Sequence, residues 1–316
     1  MAIASAKSAK SRPAKISRRV NAISVHSNVF LNIFIGAFAL LCLIPFLLVA
    51  SVSFSSEDSI KNFGYRFIPS EWSTASYDYI FEAGQQIGRS YFVSISMTTI
   101  GTCLSVFVML LCAYALSRPE FRFRRQISFI VLITLLFNAG LIPFYMVVTQ
   151  LFFLGDTFLV LVLATLINPF NVIVLRSFLA FNIPTGIIES GRIEGANEFQ
   201  ILFKLVVPIA KPSIATIAFF TMLDYWNNWY TALLFIRSPK WTPLPNLLIN
   251  IEQNIDFLVR NSGTIGGTRL FELIQQLPTQ TIIFATLLIT TGPVLIAFPL
   301  FQRYFVRGLT VGSIRA

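Results

Sequence analysis

Six apolar runs limit what this chain can fold into: Val29 to Ala50, then about 91–116, 127–150, 158–180, 213–236 and 281–301. Each is long enough for a helix to cross a hydrocarbon layer, which takes roughly 20 residues. Hydrocarbon offers a backbone N–H or C=O no partner, so a segment placed there must satisfy its own polar groups, and a helix does so locally. With 55% hydrophobic residues, 12% charged ones and a mean hydropathy of +0.72, the composition excludes an ordinary soluble domain. The reading is an all-α, polytopic membrane protein with six transmembrane helices: a basic, disordered tail over residues 1–28 and a transmembrane domain over 29–316. The first run is too long for the core of a signal peptide and is expected to stay as an uncleaved span.

The formal charge of +10 could serve nucleic acid, but its distribution assigns it to loops. Six crossings put both termini on one side, together with the leader's Lys7, Lys10, Arg12, Lys15, Arg18 and Arg19, then Arg118, Arg122, Arg124, Arg125, Arg176, Arg192, Lys204 and Lys211, and the tail's Arg303, Arg307 and Arg315. The opposite loops hold Glu57, Asp58, Glu71, Asp78, Glu82, Asp156, Glu252, Asp256 and Glu272, with fewer basic residues. Positive charge stays inside, so the termini and the loop around Glu189 are expected in the cytoplasm. The partner this pattern implies is the lipid bilayer, with no nucleic acid. Of the outer loops, 51–90 and 237–280 are long, the second with a helix start at Leu244–Leu248 and a turn at Gly266–Gly267; the connection 151–157 turns tightly at Gly155–Asp156.

Cys42, Cys103 and Cys112 all fall inside apolar spans, where they read as small core residues rather than a disulfide framework. The single histidine, His26, lies in the leader. No metal site and no catalytic residue is assigned.

Between the fourth and fifth spans lies a polar island, Glu189 to Pro208. On a helix, Ile188, Gly191, Gly195, Phe199, Leu202 and Val206 would share one face, with Glu194, Asn197, Glu198 and Lys204 opposite. Glycine inside a helix costs about 1 kcal/mol relative to alanine, so a surface without side chains must be required there. Close approach of another backbone would supply the reason.

The fifth span carries Asp224-Tyr225-Trp226-Asn227-Asn228-Trp229-Tyr230-Thr231 within apolar sequence. Counted from Ser213 at about 1.5 Å per residue, Asp224 falls roughly 16 Å in, near the bilayer midplane. A carboxylate there costs about 2.5–3.5 kcal/mol on insertion scales and should face a partner or a wet cavity. Thr221, Asp224, Asn227 or Asn228, and Thr231 fall on one face of a continuous helix, a polar stripe edged by aromatic rings. Carboxylate and amides beside flat rings suit a sugar; Trp229 and Tyr230 also suit an interfacial belt, and the amides could join helices. In the fourth span, Asn168-Pro169-Phe170-Asn171 is either a cavity wall or a kink, with the kink favoured. The candidate substrate path is therefore Asn168, Asn171, Asp224, Tyr225, Trp226, Asn227, Asn228 and Trp229.

The spacing Glu189-Ser190-Gly191, three residues, Gly195, nine residues, then Leu205 and Val207-Pro208 resembles the EAA motif of bacterial ABC-importer permeases, with Ser190 and Gly191 in place of its two alanines. The run Tyr225–Trp229 and the stretch Gln302–Ser313 resemble the carbohydrate-uptake permeases, specifically the MalG-like subunit and the LplC and YtcP group within it. The resemblance runs from about residue 29 to the end; Ser313-Ile314-Arg315 stands where relatives often have Ala-Val-Lys.

It implies the type I ABC-importer permease fold, in the bacterial cytoplasmic membrane. Loop 184–212 would couple to a separate cytoplasmic ATPase through Glu189, Ser190, Gly191, Gly195 and Pro208. The implied partners are a second permease of similar fold, a dimer of ABC ATPases carrying ATP and Mg, and an extracellular solute-binding protein. The chain would be a transport subunit for oligosaccharides rather than an enzyme, without a cofactor of its own; no Gly-x-x-x-x-Gly-Lys-Ser/Thr loop occurs in it. Two alternatives use Asp224 differently. An ion-coupled secondary transporter would call for paired, helix-broken repeats, which the sequence does not display. A membrane-embedded enzyme would need a second intramembrane carboxylate to share acid and base roles.

Overall fold

The computed structural model describes residues 25–82, 84–265 and 279–312. The leader up to residue 24, the Gly266–Gly267 turn and the Ser313–Arg315 ending lie outside them. Contacts divide the chain into two units, Met1–Leu48 and Val49–Ala316. Most of α1 (Val25–Ser53) belongs to the first, and it begins at Val25, inside the segment expected to be a disordered tail. It carries no Asp, Glu, Lys or Arg and is apolar on every side, the composition of a helix whose solvent is lipid.

In the second unit, short helices α2 (Glu57–Phe63) and α3 (Ala75–Glu82) precede the long α4 (Gly84–Ser117). Then come α5 (Arg124–Leu136), α6 (Leu141–Met146) widened into a π turn at Val147–Leu151, α7 (Phe158–Leu163), α8 (Pro169–Asn182) and α9 (Thr185–Ile193). A short α10 (Glu198–Gln200) runs through π-wound Ile201–Val206 into α11 (Val207–Trp226), followed by α12 (Trp229–Phe235), α13 (Leu244–Ile265) and α14 (Thr279–Gly312). Among the described residues, four segments are long and apolar enough to cross a membrane alone, or up to six where each of two bent pairs is one span.

Three of the expected spans are not continuous. The run 127–150 breaks at Phe137–Gly140, where Gly140 takes φ +90°, and its halves bend by 116°. The run 158–180 is interrupted between α7 and α8, and the run 213–236 between α11 and α12. Hydropathy averaged over a window cannot register such breaks, because the residues that make them are few and are flanked by apolar sequence.

The α4 helix is central, in contact with α5, α7, α8, α11 and α13. Ser90, Ser94, Gly101, Ser105, Ala113 and Ser117 fall on its buried side, and such small residues let neighbouring helices approach closely. Ser94 Oγ accepts the Leu244 N–H at 2.7 Å, tying in the start of α13. Tyr225, on α11, lies over Gly101: a Cβ there would stand 2.6 Å from the ring. The Tyr225 hydroxyl donates to the Val162 carbonyl at 2.7 Å and lies 3.0 Å from Ser105 Oγ, which is then the donor to it.

One end of the second unit is closed by polar clasps between loops. Asp156, at φ +54°, donates its N–H to the Phe235 carbonyl, and its Oδ1 accepts the N–H groups of Ser238 at 2.9 Å and Arg237 at 3.0 Å. Those two N–H groups hold its carboxyl below the usual carboxylate range. The Glu57 carboxylate accepts the Gln280 and Thr281 N–H groups, filling the orphan donors at the start of α14 from far away in sequence.

The Gly101–Tyr225 contact yields a direct test. Gly101→Ala should overpack the site by about 1–3 kcal/mol, because the ring is pinned at its hydroxyl and cannot retreat. The purified chain should melt at a lower temperature, while Gly88→Ala, which is also helical but meets nothing within 4 Å, should melt no lower than the unaltered chain. Equal melting of both variants would mean that Tyr225 is not wedged against α4.

Candidate functional site

The predicted coupling region is a corner between two helices, where the sequence suggested one. At the end of α9 the Gly195 N–H bonds to the Arg192 carbonyl and the Ala196 N–H to the Gly191 carbonyl, both at 3.0 Å. Gly195 has φ +81°. This is the Schellman arrangement that ends a helix on a left-handed residue. Asn197 then starts the next helix with a reciprocal capping box: its Oδ1 accepts the Gln200 N–H and its own N–H reaches Gln200 Oε1.

The two glycines therefore have different reasons, neither of them the expected approach of a backbone. Gly195 supplies a conformation, and a Cβ on it would meet nothing within 4 Å. Gly191 is buried, and a Cβ there would lie 2.9 Å from the Leu205 side chain and 3.3 Å from that of Ile201. Glu189 and Ser190 are exposed on α9, which turns 77° away from α8, and Pro208 sits at the start of α11 after the π-wound stretch.

Sequence reasoning missed the charges that hold this corner. Arg192 pairs with Glu198 at 2.9 Å and with Glu120 at 3.5 Å, and the Tyr114 hydroxyl donates to Glu198 at 2.8 Å. The guanidinium of Arg118 lies 5.3 Å from the centre of the Tyr114 ring. A pocket of about 350 Å³ opens beside them, floored by Leu111, Ala115, Phe199 and Leu202. The loop after α4 and the corner are thus at one end of the second unit. The Asp156 clasp and the bond from Gln86 to the Pro239 carbonyl bring together a different set of loops, at the other end of α4. Only the i to i+6 step from Arg192 to Glu198 could have been noticed in the sequence; Tyr114 is distant in it.

The second site is a cavity of about 660 Å³ lined by Met109, Ala164–Asn168, Thr221, Leu223–Tyr225, Asn227 and Asn228. It forms where two helices restart. Asn168 is the N-cap of α8, its Oδ1 accepting the N–H groups of Phe170 at 3.0 Å and Asn171 at 3.3 Å, with Pro169 as the first helical residue. Asn228 caps α12 in the same way, its Oδ1 accepting the Thr231 N–H at 3.1 Å. The proline expected to loosen a helix begins one, and the expected face running through Asp224 to Thr231 is cut at Asn227–Asn228.

Capping decides what each amide can offer. Asn168, whose oxygen accepts two N–H groups, is left with its NH₂ donors, and Asn228, whose oxygen accepts one, offers its NH₂ donors beside a single remaining lone pair; Asn227, whose Nδ2 donates to the Leu223 carbonyl at 3.0 Å, keeps its oxygen as an acceptor. Asp224 is exposed within the lining and has no hydrogen-bond or charge partner among the described residues. Thr221 is buried, and its hydroxyl has no partner either. The cavity thus presents donors and acceptors side by side, as a polyhydroxylated ligand requires.

The other predicted residues do different work. Trp226 is buried, its indole N–H donating to the Thr290 carbonyl of α14 at 3.2 Å, and Tyr225 is the clasp on α4 described above. Asn171 is buried behind its cap and does not line the cavity. Trp229 is exposed beyond the break, edge-on to Tyr230.

Residues 97–311 match the family described as binding-protein-dependent transport system inner membrane component. The chain is 38% identical over 283 residues to the polygalacturonan/rhamnogalacturonan transport system permease protein YtcP of Bacillus subtilis strain 168, over 89% of this chain and 96% of that one. It is 32% identical over 284 residues to protein LplC of the same organism, with 90% and 92% covered. A chain in the crystal structure of a bacterial ABC transporter involved in the import of the acidic polysaccharide alginate matches with a TM-score of 0.75 and 28% identity, over 90% of this chain and 99% of the other.

Both glycines of the corner lie within the matched region, and their different roles can be separated. A non-glycine residue in the left-handed region costs about 1–2 kcal/mol, least for asparagine, so Gly195→Asn should melt closer to the unaltered chain than Gly195→Ala. Gly191→Leu should be worse than either, since it meets two side chains. Equal effects of Gly195→Asn and Gly195→Ala would remove conformation as the reason for that glycine.

Proposed function

The chain belongs to the family of binding-protein-dependent transport system inner membrane components, and on that footing we propose that it is one permease subunit of an ATP-driven importer of oligosaccharides. The observation that carries the coupling role is the corner at 185–208. Its motif spacing, its Schellman stop and its capping box set a short helix, with Glu189 and Ser190 exposed, at a defined turn from the helix that follows, as a docking element requires. ATP and Mg belong to a separate pair of cytoplasmic ATPases docked there, and the chain itself catalyses no reaction. A second permease completes the cavity, and an extracellular binding protein delivers the cargo at the end marked by Asp156.

The sugar class is supported by two things. Relatives of high coverage are named for polygalacturonan, rhamnogalacturonan and alginate. The cavity's alternation of Asp224 and Asn227 as acceptors with Asn168 and Asn228 as donors suits hydroxyl groups. Broken helices around an intramembrane carboxylate are also how ion-coupled carriers build their sites. Membership of a binding-protein-dependent transport family supports an ATPase as the energy source instead. Purification from native membranes should bring down an ATPase subunit, and uptake into vesicles should need internal ATP and survive an uncoupler. Uptake driven by an ion gradient alone would reverse the assignment.

The arrangement of charge supports a cytoplasmic position for the termini and the corner. In a chain freed of its three cysteines, Glu194→Cys should react with an impermeant maleimide only in broken cells and Lys240→Cys also in intact ones. The opposite pattern would invert the orientation. Within the cavity, Asp224→Ala should lower uptake of radiolabelled arabinose or galacturonate oligosaccharides about tenfold, the loss of a hydrogen bond to a charged acceptor, and Asn228→Leu less. Unchanged uptake by Asp224→Ala would take the cavity out of the sugar's path.

A further inference from the structure

Apolar packing of Leu110, Ala113 and Tyr114 against Ile188, Ile201 and Leu202, and the exposed Arg192–Glu120 pair, join the corner broadly to the α4 side, and two directed routes run from it to the cavity. One is the chain itself, from α10 into α11, but its first turns are π-wound at Ile201–Val206, which interrupts the ladder that keeps a helix stiff. The other is lateral. Glu198 Oε2 accepts the Tyr114 hydroxyl at 2.8 Å, and its Oε1 accepts Arg192 Nε at 3.0 Å. The Arg192–Glu198 pair is exposed and stays within the corner, where an ion pair in contact with water holds little by itself. The Tyr114 bond is charge-assisted, comes from a buried ring, and crosses to another element. From Tyr114, α4 continues unbroken to Ser105, which bonds Tyr225 on the wall of the cavity.

We propose that Tyr114 and Glu198 are a positioning pair that makes the corner and α4 move together, so that displacement of the corner reaches the cavity wall at Tyr225 through α4. The inference rests on the reading of the corner as the ATPase dock. It assigns the stiff path to a side-chain bond between elements and leaves the π-wound start of α11 as the compliant one.

The test needs no knowledge of the sugar. In the complete transporter, reconstituted with its partner permease and ATPases, Asn227→Cys places a reporter on the cavity in a chain freed of its other cysteines. Its reaction rate with a maleimide is compared with and without Mg, ATP and vanadate. The rate should change on trapping, and Tyr114→Phe or Glu198→Gln should shrink that change about fivefold or more, in the range of ordinary coupling between sites. The complex should still assemble with its ATPases and hydrolyse ATP, and the double variant should be no worse than the poorer single one. An undiminished response overturns the pairing, as does a loss that merely follows the amount of assembled complex, or additive losses in the double variant. If the unaltered chain brings down no ATPase, or trapping never alters the reporter, the docking role falls and this inference with it.

Discussion

The clasp between Tyr225 and α4 is the contact on which the rest of the second unit depends. A helix can carry Tyr225 this close to α4 only because Gly101 has no Cβ, and the ring then reaches Ser105 and the Val162 carbonyl. That carbonyl lies near the end of α7, where the ladder of the helix stops and a backbone acceptor is left over. In hydrocarbon such an orphan is expensive, since water is absent. One phenol therefore fixes the approach of α11 to α4 and satisfies the break before α8. Both consequences bear on the cavity, because that break forms one of its walls.

Helix breaks in a membrane need internal partners, and here asparagines provide them. Asn168 and Asn228 each fold an amide oxygen back onto the first turn of the helix that follows. The same bond that permits the interruption orients the remaining NH₂ group, so stability and ligand chemistry are set by one rotamer. Asp224 stands differently: it bonds to no described residue and faces the cavity with its charge. An unpaired carboxylate in that setting is open to water and does not hold helices together.

Much of this was legible in the sequence. Long apolar runs announced spans, and the Glu189–Pro208 spacing marked the polar stretch that the structure folds into a corner. The identity of the polar residues within the fifth span pointed to the cavity before any coordinates. The errors share one cause. A window that averages hydropathy, or a wheel that assumes continuous 3.6-residue winding, treats Asn227–Asn228 and Ala164–Asn168 as helix like their neighbours. Gly195 was misread in the same way, since periodicity cannot distinguish a glycine chosen for space from one chosen for a positive φ. The capping box at Asn197 and Gln200 was visible in principle, and would have marked a helix start in the middle of the supposed single helix.

By itself the sequence determined the solvent of this protein, the apolar runs available to cross it, and the polar stretch between two of them that carries the family's motif spacing. These follow from local composition and spacing, because a backbone in lipid must satisfy itself within a few residues. Only the tertiary structure decided which aromatic rings pack and which face the cavity, and which amide atoms are free. It also brought Tyr114 to Glu198, 84 residues away along the chain. Those outcomes depend on where helices break and which neighbours they meet, and no local pattern records a contact between residues that only folding brings together.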